Sequence, residues 1–375
     1  MSNSSRKPSL LLLFSHGVGL ARWRQAGYFE REIGYYKRLS EDLAHVEFAT
    51  YDRDLVDYSE VAPIRVTAQG RFPSQRIYGL IAPLLRWRTF RNADVVKSNQ
   101  FAGSWTGVIT KWLHRKKFIA RCGYVWSLNV ERSSSSRSRK TVTKLVEKVV
   151  LRQSDVIVVP DRLALDYLAV THGISEDKFV VIPNFVDTTQ FVSAPSEERK
   201  NSKFLFVGRL SREKRPELAV EAMKITPDAT LDLIGDGPLK KKFEESTSNL
   251  ANVEIVGRLE HVELSKRTRS ARGLVITSQY EGSPKVVIEA MASGLPIIAV
   301  KAPGLDYIVR DRENGLLVDP NPESIAEAIK LLMNDQNLWS RLSTRCRELA
   351  EQKYSRDGVA KKEIELINSL FGDSH

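Results

Sequence analysis

The chain is poor in cysteine and histidine and has no long hydrophobic run. Among 375 residues there are two cysteines and six histidines. Cys122 and Cys346 show no metal-ligand or redox spacing and form no disulfide framework, so a reducing compartment is expected. The longest apolar run near the start, Leu10 to Phe14, is much too short for a signal core or a membrane span. A cytoplasmic chain follows, possessing a loose basic tail at residues 2–8. Apolar content of 42% and charged content of 27% exclude disordered and fibrous classes, and the length suits two domains, each with its own core.

Charge is uneven. Residues 1–190 hold 29 Lys and Arg against 18 Asp and Glu, whereas residues 191–375 hold 28 of each, so the whole net charge of +11 sits in the first half. An anionic partner for that half is implied: a membrane surface, a phosphorylated or lipid-linked acceptor, or nucleic acid. Solubility alone would also account for it.

The most informative stretch runs from Glu281 to Gly294, EGSPKVVIEAMASG. It predicts a helix with Ser283 as N-cap, Pro284 at the first helical position, and Gly294 just past the end. The start of such a helix offers N–H groups and a positive dipole end to an anion, with phosphate the natural guess. Glu281 and Glu289 bracket that start. From Ser283 to Glu289 the axial rise is about 9 Å, so the two acids cannot share one ligand atom. They could hold opposite ends of a ligand whose middle is anionic. A well-capped helix with a solvated glutamate at each end is the plainer alternative.

Short apolar strands alternating with amphipathic stretches predict a parallel α/β layout in both halves. In the first half the strands are expected at 10–14, 46–49, 94–97, 117–121, 155–159 and 179–182. In the second they are expected at 204–207, 230–234, 253–256, 273–277, 296–300 and 316–318. Ligands gather at the carboxyl ends of such strands. The loop after the first strand contains His16, Gly17 and Gly19, followed by Arg22 and Arg24, and suits either an anion or a plain turn. Residues 76–91 and 111–118 mix Arg and Lys with Trp, Leu and Phe at roughly helical spacing, which fits a domain core or a basic face at a membrane interface. Residues 133–140, SSSSRSRK, read as a mobile basic loop, and the polar stretch 193–202 reads as a linker. The strand ending at Val207 runs into Gly208, Arg209 and Lys214, where a guanidinium and an ammonium could neutralise a diphosphate.

GRLSREK at 208–214, LIGDGPLKKKFE at 233–244, VGRL at 256–259 and EGSPKVVIEA occur in the order and spacing that resemble the retaining family-4 glycosyltransferases, the glycosyl transferases of group 1. The likeness is close over 181–330, and the ending YSRDGVAKKEIELINSLF at 354–371 looks like the family's last helices. The resemblance implies an α/β GT-B fold of two facing Rossmann-like domains with a cleft between them. The first would span 1–185 on the acceptor side, the second 186–353 on the sugar-nucleotide side, and residues 354–375 would return to the first. It also implies that Arg209 and Lys214 hold the diphosphate of a UDP- or GDP-linked donor, that Glu281 meets the donor sugar and that Glu289 binds the ribose. Backbone groups around Ser283, Pro284, Lys285 and Val286 would meet phosphate and sugar, with Gly208 close by, and Gly257 and Arg258 would frame the base.

The first half departs from the family pattern. Many relatives carry a histidine after the strand ending near residue 121, whereas this chain reads RCGYVWS, leaving Arg121, Tyr124 or the His16 loop as acceptor-side substitutes. No cofactor or metal is expected. The one D-x-D pair, Asp52 and Asp54, is the sole candidate ligand set for Mg²⁺. The implied partners are a nucleotide sugar, a glycan or lipid-linked acceptor and an anionic membrane surface met peripherally from the cytoplasmic side. The second half is neutral and there is no nucleic-acid module, which argues against DNA or RNA. A nucleotide-sugar epimerase and a silent scaffold remain as alternatives.

Overall fold

The computed structural model describes residues 6–53, 58–132, 136–195, 199 and 202–372. The chain divides into two compact units, one of residues 1–183 with 359–375 and one of residues 184–358. Among the described residues no helix is long and apolar enough to cross a membrane.

The first unit is built on seven parallel strands: β1 (Ser9–Leu13), β2 (His45–Thr50), β3 (Arg65–Ala68), β4 (Val95–Ser98), β5 (Lys117–Arg121), β6 (Val156–Val159) and β7 (Phe179–Val181). Their order is β3-β2-β1-β4-β5-β6-β7. All five residues of β1 are buried, as befits a central parallel strand covered on both faces. The edge strand β3, RVTA, was not expected from the sequence; it is short, polar in alternation and partly exposed. The last helix, Arg356–Gly372, contributes its residues from Val359 onward to this unit. Its Glu363 is fully enclosed, accepting a hydrogen bond from Tyr35 Oη at 2.7 Å and a short one from Lys97 Nζ.

The second unit has six parallel strands: β8 (Lys203–Val207), β9 (Thr230–Ile234), β10 (Val253–Gly257), β11 (Gly273–Ile276), β12 (Ile297–Val300) and β13 (Gly315–Val318), in the order β10-β9-β8-β11-β12-β13. Leu205, Leu233, Val275, Ile288 and Ile298 lie at the centre of its core with no exposed surface. In both sheets the first strand of the unit sits between its second and its fourth. The chain therefore leaves in opposite directions from the first strand and from its fourth-strand neighbour, so the loops after β1 and β4, and after β8 and β11, flank a topological switch point.

Two composition-based expectations are corrected here. Arg199, assigned to a linker, is buried in the second unit; its guanidinium donates to the carbonyls of Ala271 at 3.1 Å and Ser293 at 2.5 Å. Residues 137–140, assigned to a mobile loop, open the helix Arg137–Gln153 behind a Ser136 cap, while 133–135 fall outside the described residues. The stretch 76–91 is two helices, Gln75–Leu85 and Trp87–Asn92, broken at Arg86. Both cysteines are free and buried, and burial pushes their thiols up, away from reactive thiolate.

Candidate functional site

In the second unit the loops after β8 and β11 are stitched together. Arg215 adopts a left-handed conformation, φ 46°, and its guanidinium donates to the carbonyls of Thr277 at 2.8 Å and Ser278 at 3.1 Å. Gln279 N–H donates to Glu213 O at 2.9 Å, and Thr277 Oγ1 lies 2.7 Å from Lys214 O. These bonds fix the backbone that carries Arg209, Lys214 and Glu281. Lys214 Nζ donates to Glu281 Oε1 at 2.5 Å, and Ser278 Oγ donates to the same oxygen at 2.6 Å. Two residues expected to hold different parts of one ligand are thus direct partners across the switch point. Arg209 is exposed on the same loop. Its guanidinium and the Lys214 ammonium help to hold Glu213 below the usual carboxylate range, behind the larger effect of hydrogen bonds to that carboxylate from its own backbone and Ser211.

A third loop locks this floor from the β9 side. Gly235 and Gly237 have φ of 145° and 158°, and a Cβ at either would lie 1.8 Å from Gly208 O or 2.4 Å from Leu210 O. Only glycine lets the GDG turn lie flat on the Gly208–Leu210 backbone. Leu210 N–H donates to Asp236 O at 2.9 Å and Gly235 N–H to Gly257 O at 2.8 Å, so Gly257, itself at φ 79°, belongs to the same layer. Arg258, next in sequence, is exposed beside it.

The helix predicted from EGSPKVVIEAMASG runs Lys285–Ala292. Its start is one residue later than expected. Pro284 is the N-cap, with no side-chain cap, and Ser283 instead offers its carbonyl to Asn184 Nδ2 at 2.8 Å. The capping role assigned to Ser283 is therefore corrected. Gly294 does close the helix, at φ 63°: its N–H reaches Met291 O and that of Leu295 reaches Ala290 O, both at 2.9 Å, which is a Schellman motif. Lys285 and Val286 occupy the first turn, whose N–H groups point out along the axis. Glu289 is buried one turn further in, and His261 Nδ1 stands 3.7 Å from its Oε1. Sequence reasoning missed His261. Its only signal is its position at the start of the helix His261–Ser270, just after the VGRL stretch.

In the first unit the loop after β1 bonds to the loop after β4 through His16 N–H and Ala102 O at 3.1 Å. The His16 ring packs against Tyr51 and Trp105, and its Nε2 is enclosed with no hydrogen-bond partner among the described residues. Burial, aided by the nearby Arg76, lowers its pKa below 6.5. Gly17, φ 73°, supplies the turn. Gly19 is glycine for a different reason from ligand approach: a Cβ there would lie 2.1 Å from Asp52 Oδ1. Asp52 caps the helix Leu20–Gln25 by accepting from Leu20 N–H at 2.9 Å and Ala21 N–H at 3.3 Å. That role gives Asp52 a place in the fold, and Asp54 lies outside the described residues. Arg24 stacks on Phe29 and pairs with Glu60 at 2.6 Å. Arg121, partly exposed at the end of β5, has Tyr36, Glu32 and Glu363 among its electrostatic neighbours. Tyr124 is 40% exposed after β5.

Comparison with known proteins agrees with this geometry. The profile described as Glycosyl transferases group 1 matches residues 187–352, and that of Glycosyltransferase Family 4 matches 36–190. An uncharacterized glycosyltransferase of Methanocaldococcus jannaschii is 36% identical over 151 residues, 40% of this chain and 43% of that protein. Sulfoquinovosyl transferase SQD2 of Arabidopsis thaliana is 31% identical over 193 residues, 50% of this chain and 37% of that one. The chain matches about half the length of these curated relatives. In fold it resembles Anabaena HepE, solved with UDP, at a TM-score of 0.75 and 18% identity over 96% of this chain and 100% of that one. A glycosyltransferase of Rickettsia africae gives a TM-score of 0.76 at 17% identity, covering 97% and 98%. With two parallel α/β units, both family profiles and these neighbours in agreement, the chain belongs to the group 1, family-4 glycosyltransferases of GT-B fold.

Proposed function

We propose that this protein moves a sugar, with retention of anomeric configuration, from a nucleoside-diphosphate sugar to a glycan or lipid-linked acceptor. The observation that carries the reading is the Lys214–Glu281 pair at the β8/β11 switch point, with exposed Arg209 on the same loop. Breaking the bond between sugar and diphosphate builds negative charge on the leaving phosphate and positive charge on the anomeric carbon. Arg209, Lys214 and the start of the helix Lys285–Ala292 stand where they would stabilise the first, and the Glu281 carboxylate is of the sign to meet the second. These cations would supply the charge that a divalent metal supplies elsewhere, which makes the proposed reaction metal-independent.

Glu289, buried beside His261, is suited to accept from two ribose hydroxyls, and Gly257 and Arg258 would frame the base. UDP is the first nucleotide to try, since a protein of the same fold, HepE, has been solved with UDP and with UDP-glucose. On the acceptor side His16, Arg121 and Tyr124 are the residues proposed for the role. A glycan built on a lipid carrier would bring the enzyme to the cytoplasmic face of a membrane.

The test is incubation with UDP- and GDP-sugars and a lipid-linked glycan extract, with products read by NMR. A new glycosidic linkage retaining the donor's configuration is expected. An inverted linkage would refute the mechanism, and a free isomerised sugar nucleotide formed without acceptor would identify an epimerase.

A further inference from the structure

We infer that the helical face around Leu84 and Trp112 in the first unit docks onto an anionic lipid bilayer. Leu80, Leu84 and Leu85 are 51%, 56% and 52% exposed, and Trp112 is 71% exposed. They lie on helices that touch. His114 Nε2 is 2.9 Å from Pro83 O, and its ring meets Trp87 edge-on at 4.3 Å. Trp112 Nε1 donates to Gln153 Oε1 at 3.2 Å, which joins the helix Trp105–His114 to the end of Arg137–Gln153. That third helix adds Val142, Leu145 and Val149, all exposed and spaced to share one face. Apolar side chains gathered in this way mark a partner surface, whereas single ones would need no explanation.

Charge identifies the partner. Between Arg71 and Phe118 there are ten Lys and Arg and a single acid, Asp94, whose carboxylate is bonded to Arg6 and Ser9. The only acid of the helix Arg137–Gln153 is Glu147, which faces inward onto His172 at 2.9 Å. Lys111 and Lys144 are paired with Asp155 and Glu131, at 2.8 and 2.5 Å, so the basic rim around the leucines, valines and Trp112 rests on the exposed arginines, among them Arg88, Arg91 and Arg115. A second copy of the chain would bring two such basic rims together, which like-charge repulsion disfavours. A bilayer with anionic headgroups meets both features, taking the leucines and Trp112 into its interface while the basic side chains reach the headgroups. The inference goes beyond the proposed transfer reaction and stands on this surface alone.

The test is co-sedimentation of the full chain with vesicles of phosphatidylcholine alone or with about 30% phosphatidylglycerol, at low salt and at about 0.5 M salt. Binding to the phosphatidylglycerol vesicles only, lost at high salt, is expected. The L84E/W112E double variant should bind at least about 10-fold more weakly, since it places two charges where apolar groups would enter the interface. Both positions are exposed and the one bond lost, Trp112 to Gln153, is at the surface, so the variant should melt within a few degrees of the parent, about 1 kcal/mol at most, and V262E in the second unit should bind like the parent. Equal binding to both vesicle types, or unchanged binding by the double variant, would overturn the inference. So would a dimer in sedimentation that the double variant dissociates, which would identify a second copy as the occupant. Nucleotide binding, measured on the same samples, separates a failure of this surface from a failure of the proposed activity.

Discussion

Replacing Lys214 by alanine tests the chemistry at the switch point. The substitution removes an ammonium that donates to Glu281 at 2.5 Å, and it leaves that carboxylate with Ser278 as its remaining side-chain donor. The Lys214 side chain is 29% exposed and that of Glu281 11%, so water screens the pair from one side. The loss of stability should accordingly be about 1 kcal/mol, or roughly 2–4 °C in melting temperature for a unit of this size. The effect on transfer should be much larger. A preplaced cation facing the leaving diphosphate is worth on the order of 3 kcal/mol in the transition state, so kcat should fall about 100-fold or more. The uncovered Glu281 charge would repel the same diphosphate and raise KM as well. The assay is nucleoside diphosphate release under saturating donor, with melting temperature measured in parallel. In a double-mutant cycle with Glu281→Gln the two losses should be far from additive, because each group holds the other. Turnover within about 3-fold of the parent in a folded Lys214→Ala variant would refute the assignment of this loop to the diphosphate.

Three further outcomes follow from other parts of the molecule. Gly235→Ala places a methyl 1.8 Å from a backbone oxygen at φ 145° and should cost about 3 kcal/mol or more, seen as a drop in the denaturation midpoint of the second unit. Lys97→Met should cost about 3–5 kcal/mol by taking from the enclosed Glu363 carboxylate its ammonium partner, with Tyr35 still donating to it and Arg121 nearby. Burial raises the Glu363 carboxyl but Lys97, Tyr35 and Arg121 outweigh it, so in the parent it sits below the ordinary 4.5. Its contribution is then complete above that value and lost as pH falls through the lower folded one, and Glu363→Gln should flatten that acid limb of the stability curve. Asp52→Ala removes the cap of the helix Leu20–Gln25 and should lower stability by about 1–2 kcal/mol while added EDTA leaves the parent's activity unchanged; EDTA inactivation would reinstate a metal at that acid.

Local patterning carried much of the fold. Lys117–Arg121 and Thr230–Ile234 are bounded as their apolar runs indicate, because buried parallel strands need little beyond a short apolar run. The strand Arg65–Ala68 was hidden because an edge strand with polar alternation leaves no such run. Chemistry-bearing positions were legible as types but not as pairs. Lys214 and Glu281 are 67 residues apart, and their bond depends on β8 lying beside β11. Ser283 is in sequence a good cap, yet the side chain of Asn184 takes its carbonyl and the helix starts later. Gly19 resembles a phosphate-loop glycine and is explained by Asp52. In each case a residue distant in sequence decides the role, which no local pattern records.

The central claim is that the second unit binds a nucleoside diphosphate through Arg209, Lys214 and Glu289. Thermal denaturation with UDP, GDP and ADP in turn tests it most directly, on the parent and on Glu289→Ala. A nucleotide at about 100 times its dissociation constant should add roughly 2.7 kcal/mol to the stability of the parent, and one of the three should do so while Glu289→Ala loses most of that shift. No shift with any nucleotide in a well-folded parent, or an equal shift in Glu289→Ala, would contradict the account.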